Sequence, residues 1–238
     1  MSSFTLAWHF LIFGVLPYVV IAVLILGSLA RFVLAPFSWK SQSSEILDKK
    51  DIFWGANLFH IGVIFLFCGH CFGLFTPTEW LNAAGLTPRL HQMMEIICGG
   101  LSAIVAITGL IILTWRRLTN ERVRAASRPS DFWVLFLLIA VIILGIGCVV
   151  NSYLYDKSGA TIILLGGWVR GLFSFDYQAW QNILLVPDWQ KGHIFVGLII
   201  FLIVPFTRLV HIWSGYLSVF YLIRPHQIMR ANNGKPMK

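Results

Sequence analysis

Charged side chains are scarce in this sequence. Only 12% of its 238 residues are charged, Asp and Glu together number 10, and 58% of the residues are hydrophobic. An ordinary soluble protein has about 25% charged and roughly 45–50% apolar residues. The chain therefore lacks the polar surface that a soluble enzyme, a secreted disulfide scaffold or a disordered protein requires. These classes are excluded, and a protein embedded in lipid is indicated.

Cysteine is also scarce, and its spacing does not indicate chemistry. The four cysteines are Cys68, Cys71, Cys98 and Cys148. The first two form a C-x-x-C inside a long apolar run, where burial disfavours the reactive thiolate. Covalent haem attachment requires C-x-x-C-H, but Phe72 follows Cys71. We therefore expect all four to be small core or lipid-facing residues.

Long apolar runs dominate what the sequence does contain. A helix needs about 20 apolar residues to cross a bilayer, and such runs occur near 5–29, 52–75, 92–115, 132–151 and 192–213. A shorter run, 160–175, contains Arg170 and is predicted to be an interfacial helix. The predicted fold is an all-α integral membrane protein with five transmembrane helices, a membrane domain over 1–225 and a polar tail over 226–238.

The basic residues predict the orientation of the chain. All but four of the 18 Lys and Arg lie in the loops 30–51 and 116–131 or after residue 207. The positive-inside rule therefore places the N-terminus outside and the C-terminus in the cytoplasm. Because the basic residues form short clusters between apolar runs, they do not indicate a surface for nucleic acid.

Four of the seven histidines lie inside predicted spans: His60 and His70 in the second, His193 and His211 in the fifth. An unpaired imidazole in hydrocarbon costs several kcal/mol, so these residues are candidates for function. In regular helices, His193 and His211 would share one face about 27 Å apart, and His60 and His70 would be about 15 Å apart. Since the two helices are antiparallel, His60 is expected level with His211, and His70 level with His193.

Two such pairs match the ligands of two haem groups. In bis-histidine ligation each imidazole binds iron through one nitrogen and donates its other N–H to a carbonyl. Glycines beside the histidines could leave flat surface for a porphyrin or could serve helix packing. Arg208, one turn before His211, is a candidate partner of a haem propionate or one more cytoplasmic basic residue.

Other uses of intramembrane histidines are less favoured. A single zinc ion cannot be reached by four ligands that are spread over about 15–27 Å. A haem-free proton channel or transporter could use the histidines as a relay, although Glu95 is the only acidic residue well inside a span. This alternative stays open.

Three stretches carry a family resemblance: WGANLFHIGVIFLFCGHCFGLFTP over 54–77, RRLTNERVRAASRPSD over 116–131 and PFTRLVHIWS over 205–214. They resemble the gamma subunit, a di-haem cytochrome b, of membrane-bound respiratory nitrate reductase. The resemblance implies a quinol-oxidising anchor with two haem b groups in the cytoplasmic membrane of a prokaryote. It also implies docking to an iron–sulfur subunit and a molybdenum catalytic subunit on the cytoplasmic face.

The resemblance assigns roles to individual residues. It implies His60 and His211 as ligands of the inner haem iron, and His70 and His193 as ligands of the outer haem iron, the same pairs that the spacing favours. It places quinol binding at Gly69, Gly73 and the start of the third span, where the family's lysine is His91 here.

His91 is the candidate catalytic proton acceptor, because a neutral imidazole with an ordinary pKa near 6.5 can take a proton from quinol. A histidine that merely faces lipid headgroups is the alternative for this residue. For the chain as a whole, a related alternative function is the cytochrome b subunit of a sulfur or heterodisulfide-type reductase. We expect the tail and the 116–131 loop to dock the iron–sulfur subunit.

Overall fold

The computed structural model describes residues 3–35, 38 and 50–213. Over these ranges the chain is predominantly helical and forms no strand, as predicted for an all-α protein. The tail 226–238 and the predicted boundary at residue 225 lie outside the described residues, as does most of the first basic loop.

Five helices are long and apolar enough to cross a membrane, which confirms the predicted number of spans. Proline in the first turn begins two of them, at Pro88 and Pro129, where the missing N–H is not needed. The spans and one shorter apolar helix are α1 (Ser3–Leu34), α2 (Lys50–Phe75), α3 (Pro88–Thr119), α4 (Pro129–Tyr155), α5 (Ala160–Phe173) and α6 (Asp188–Ile203).

The fifth span, α6, differs from its prediction. Its α-helix ends at Ile203, and two 3-10 turns follow, Val204–Phe206 and Arg208–Val210. Pro205 explains this end, because proline has no N–H to donate and its ring clashes with the carbonyl of the preceding turn. The prediction of one continuous helix over 192–213 is therefore wrong.

The spans pack in a different order in space than in sequence. Among the described residues, the closely packed neighbours are α2 with α3, α3 with α4, α4 with α6, and α6 with α1. The backbones of α2 and α3 touch, since a Cβ at Gly62 would collide with Ala106 and one at Gly109 with Phe59. As far as the structure describes them, α2 and α6 are not close neighbours. The candidate histidines lie on α2, on α6 (His193) and in the segment that follows α6 (His211).

The short helix α5 is fastened across one end of the bundle. Its indole Trp168 donates from Nε1 to the carbonyl of Phe13 on α1 at 2.8 Å, and Tyr18 on α1 donates to the carbonyl of Leu172 at 3.0 Å. These residues belong to a buried apolar cluster that also includes Ile183. The predicted short apolar helix is thus present, and its inner face is part of the core.

Asp156 caps the start of α5. Its carboxylate accepts hydrogen bonds from the backbone N–H groups of residues 158 to 161. Burial acts to raise the pKa of Asp156, but the hydrogen bonds from Thr161 and Ser158 outweigh it and hold that pKa well below its usual range. The turn between α4 and α5 is therefore held by a charged carboxylate.

Candidate haem and quinol sites

The structure places the four span histidines in two facing pairs. The ring centroids of His60 and His211 are 6.1 Å apart, and their planes make an angle of 73°. The centroids of His70 and His193 are 5.9 Å apart, with an angle of 21° between the planes. The break in α6 therefore does not prevent the pairing that the sequence predicts.

Each of the four imidazoles contacts a backbone carbonyl through Nδ1, at 2.7–2.9 Å. The carbonyls that face His60, His70, His193 and His211 belong, in that order, to Ala56, Leu66, Val141 and Arg208. Because a carbonyl oxygen can only accept, Nδ1 carries the proton in every ring, and in the neutral imidazole Nε2 then carries the lone pair. This is the arrangement of a histidine whose Nε2 binds a metal.

The spacing of the rings fits a metal ion between them. A bond from a metal to an imidazole nitrogen is about 2 Å long, and that nitrogen lies roughly 1 Å from the ring centre, so two ligands of one ion have centroids about 6 Å apart. Both pairs match this separation. In the part of the chain that the structure describes, no group of three or more His, Cys, Asp or Glu could hold a metal ion. Each level therefore offers two imidazoles that could bind one metal ion, such as the iron of a haem.

The glycines near the histidines divide into two kinds. Gly62 serves helix packing, because a Cβ there would collide with Ala106. Gly69, next to His70, and Gly197, one turn after His193, differ, since a Cβ at either would meet no described atom within 4 Å. Among the described residues, open space therefore adjoins the outer pair at these two glycines.

An ion-pair cluster lies beside the inner pair. The carboxylate of Asp131, which is only 6% exposed, has one oxygen 3.0 Å from Arg208 Nε and the other 3.0 Å from Arg117 Nη1. Sequence reasoning singled out Arg208 but missed Asp131, because these two ion-pair partners are distant along the chain. An acidic residue at the first turn of a span, in a loop of arginines, was the available signal.

Two of the three quinol candidates line a small cleft at the end of α2. Gly73 and His91 both line it, and a Cβ at Gly73 would lie 3.3 Å from His91 Nε2. His91 is buried at 6% exposure, so its side chain does not face outward as the simpler interpretation supposes. Gly69, the third candidate, does not line this cleft.

Arg170 lines the same cleft, and sequence reasoning did not include it. Its Nη1 donates to the carbonyls of Leu74 and Thr76, both at 3.1 Å, and so ties α5 to the end of α2. The available signal was an arginine inside an apolar run. The sequence analysis used it only to predict that this run is an interfacial helix and not a transmembrane span. The cleft thus combines an imidazole and a guanidinium with apolar walls.

A family model described as nitrate reductase gamma subunit matches residues 9–232. The chain belongs to this family. It is 35% identical to the respiratory nitrate reductase 2 gamma chain of Escherichia coli (strain K12), over 92% of this chain and 95% of that one. It is 34% identical to the nitrate reductase gamma chain of Bacillus subtilis (strain 168), over 94% and 98%. The predicted family is confirmed, and with its five spans the chain is a multi-pass membrane subunit of an oxidoreductase complex.

A third relative is built differently. The nitrate reductase-like protein NarX of Mycobacterium tuberculosis (strain ATCC 25618 / H37Rv) is 28% identical over 93% of this chain, but the match covers only 34% of that protein. The gamma-type membrane unit therefore also occurs as one part of a longer chain.

Proposed function

We propose that this chain is the quinol-oxidising di-haem cytochrome b of a respiratory nitrate reductase. It takes electrons from quinol in the bilayer and passes them inward to an iron–sulfur subunit and a molybdenum subunit that reduces nitrate. The observation that carries the proposal is that two histidines of α2 each face a histidine of α6 or of the segment after it, at a spacing that fits one metal ion. The family match favours nitrate reductase over a sulfur or heterodisulfide-type reductase.

Four imidazoles would hold the two haems. His60 and His211 hold the inner group, and His70 and His193 hold the outer one. The carbonyls at Nδ1 keep every Nε2 available as a ligand, so that no imidazole has to shift its proton when the group binds. When bound, each haem supplies a one-electron centre inside the membrane.

The orientation makes electron transfer vectorial. With the N-terminus outside, α2 runs outward, so His70 lies near the outer surface and His60 near the cytoplasm, about 15 Å apart along the helix. Electrons that move inward work against a membrane potential that costs about 2.3 kcal/mol per charge per 100 mV for a full crossing. Arg117 and Arg208 together exceed the charge of Asp131 by one, and this positive excess favours the electron on the inner haem.

Quinol oxidation is assigned to the cleft between α2, α3 and α5. Quinol must lose two electrons and two protons, and His91 Nε2 is a proton acceptor at the wall of the cleft beside Gly73. The absence of a side chain at Gly73 leaves room for the His91 imidazole, because a Cβ there would lie only 3.3 Å from Nε2. The guanidinium of Arg170 stabilises negative charge on the oxygen as its proton leaves.

One experiment tests the whole electron path. The complex is purified with its soluble subunits, reduced anaerobically with a quinol, and then mixed with nitrate while the haem absorbance is followed. We expect quinol to reduce the haems and nitrate to reoxidise them. Haems that dithionite reduces but quinol does not would refute quinol oxidation. Haems that quinol reduces but nitrate leaves reduced would refute nitrate as the acceptor.

A further inference from the structure

The segment that carries His211 is held by side chains from other spans. After α6 ends, the carbonyls of Pro205 and Thr207 each accept a hydrogen bond of 2.7 Å from Arg31 Nη1 on α1. Arg31 is itself fixed by Ser38, through Nε to Oγ at 3.0 Å. The loss of helical hydrogen bonds at Pro205 is therefore compensated by a cation from the first span.

Asp131 contacts the same segment through the side chain of Arg208. It lies in the first turn of α4, where its Oδ2 accepts the backbone N–H of Arg128 at 2.9 Å. Its Oδ1 is 3.0 Å from Arg208 Nε, and Oδ2 also pairs with Arg117. A nearly buried carboxylate with three such contacts has little freedom to move, so it anchors Arg208 to α4.

The carbonyl that orients His211 belongs to Arg208. His211 donates from Nδ1 to this oxygen at 2.7 Å, inside the 3-10 turn Arg208–Val210. The corresponding carbonyls for His60, His70 and His193 lie within α2 or α4, where regular helical hydrogen bonds hold the backbone. His211 alone among the four depends on a carbonyl outside an α-helix.

We infer that Asp131 is a positioning residue for the inner haem: by holding Arg208 it fixes the carbonyl that sets the orientation of the His211 imidazole. The inference rests on the proposed haem ligation. The inference extends the proposed ligation by naming what orients one ligand ring. The ring planes of His211 and His60 make an angle of 73°, and a carboxylate on a different helix sets the orientation of the His211 ring. Two cations pair with Asp131, but only Arg208 is continuous with the ligand segment.

The test uses the complete complex and the electron paramagnetic resonance spectrum of its oxidised haems. The largest g value of a low-spin ferric haem depends on the angle between its two imidazole planes, so it reports ligand orientation directly. The variants are Asp131→Asn and Arg208→Gln, which break the link from either side, and Arg117→Gln, which removes the other partner of Asp131. The inner signal is identified as the one that disappears in His60→Ala.

We expect Asp131→Asn and Arg208→Gln to shift the g value of the inner haem in the same direction, with the outer signal unchanged. Arg117→Gln should leave both signals in place. The reduction potential separates charge from orientation, because loss of a carboxylate raises the potential of the inner haem while loss of a guanidinium lowers it. If Asp131→Asn and Arg208→Gln shift the reduction potential in opposite directions but the g value in the same direction, the shared change is one of ligand orientation and not of charge.

Different results would overturn the inference and the proposed function. An unchanged inner g value in Asp131→Asn shows that the carboxylate does not orient His211. Equal changes at both haems, or the same change in Arg117→Gln, show that Asp131 only stabilises the fold. Absence of haem from the unaltered complex refutes the proposed function itself and is thereby distinguished from failure of the inference.

Discussion

The proposed function rests on the four span histidines. His60 and His70 are exposed in the chain, and His193 and His211 are half-buried. In lipid, an imidazole nitrogen without a partner costs several kcal/mol. The carbonyl contacts occupy Nδ1 of every ring, and under the proposal haem iron would occupy Nε2.

Removal of one histidine should therefore empty one level. His211→Ala should abolish the inner haem and leave the outer haem bound, and His193→Ala should do the reverse, because each pair is spaced for a single metal ion. The haem content per chain and the optical spectrum of the purified variants measure this. Loss of the outer haem alone from His211→Ala would reverse the assignment.

His91 should matter for quinol and not for haem. His91→Ala removes the proton acceptor beside Gly73, and we expect quinol-dependent reduction of both haems to fall about 10²-fold or more, the usual contribution of a general base. Haem content and reduction by dithionite should stay unchanged. Phe72, whose ring centroid is 5.9 Å from that of His91, provides the control: Phe72→Leu alters the packing but keeps the base. An unaltered quinol rate in His91→Ala would remove this residue from the site.

Intervals along a helix are visible in a sequence, whereas contacts between helices are not. The spacing of His60, His70, His193 and His211 predicts two levels, and the structure places the rings there. Asp131 and Arg208 are far apart in the chain, and only the packing of α4 beside the end of α6 brings them together. The same is true of Arg170, which reaches the cleft because α5 packs on α2.

The helices themselves follow closely from apolar length. Five runs of bilayer length predict five spans, and the structure has them at those places. The end of α6 was less well predicted, because a long apolar run concealed the effect of Pro205 on the following turn. The position of Pro205 in the sequence, considered together with hydropathy, would have predicted the end of the α-helix.

Contact between α2 and α3 predicts which glycines tolerate a methyl group. A Cβ at Gly109 would collide with the backbone of Phe59, whereas a Cβ at Gly99 on the same helix would meet no described atom within 4 Å. Gly109→Ala should therefore push the helices apart and destabilise the protein by about 1–3 kcal/mol. Gly99→Ala should be neutral or stabilising by up to about 1 kcal/mol, since alanine favours helix.

Thermal unfolding of the two glycine variants in detergent, followed by haem release, provides the comparison. A lower midpoint for Gly109→Ala alone is the expected result. Equal midpoints would mean that α2 and α3 are not in backbone contact.

The arrangement of the whole molecule links the two sites. Among the described residues, α2 packs mainly on α3, and α6 packs on α4 and α1. The histidines of α2 therefore face those of α6 and of the segment after it, although α2 and α6 do not pack closely together. The quinol cleft lies at the C-terminal end of α2, and the ion-pair cluster of Asp131 lies beside the segment that follows α6. Composition predicts a membrane protein, but this order of helices depends on side-chain packing that no single run of sequence reveals.

Haem stoichiometry tests the central claim most directly. The purified chain is extracted with acidified acetone and assayed as the pyridine haemochrome against protein concentration. Two extractable b-type haems per chain are predicted, because the four histidines form two separate pairs and no C-x-x-C-H is available for covalent attachment. A value near one would contradict the pairing, and a value near zero would leave a haem-free channel or transporter as the account of these histidines.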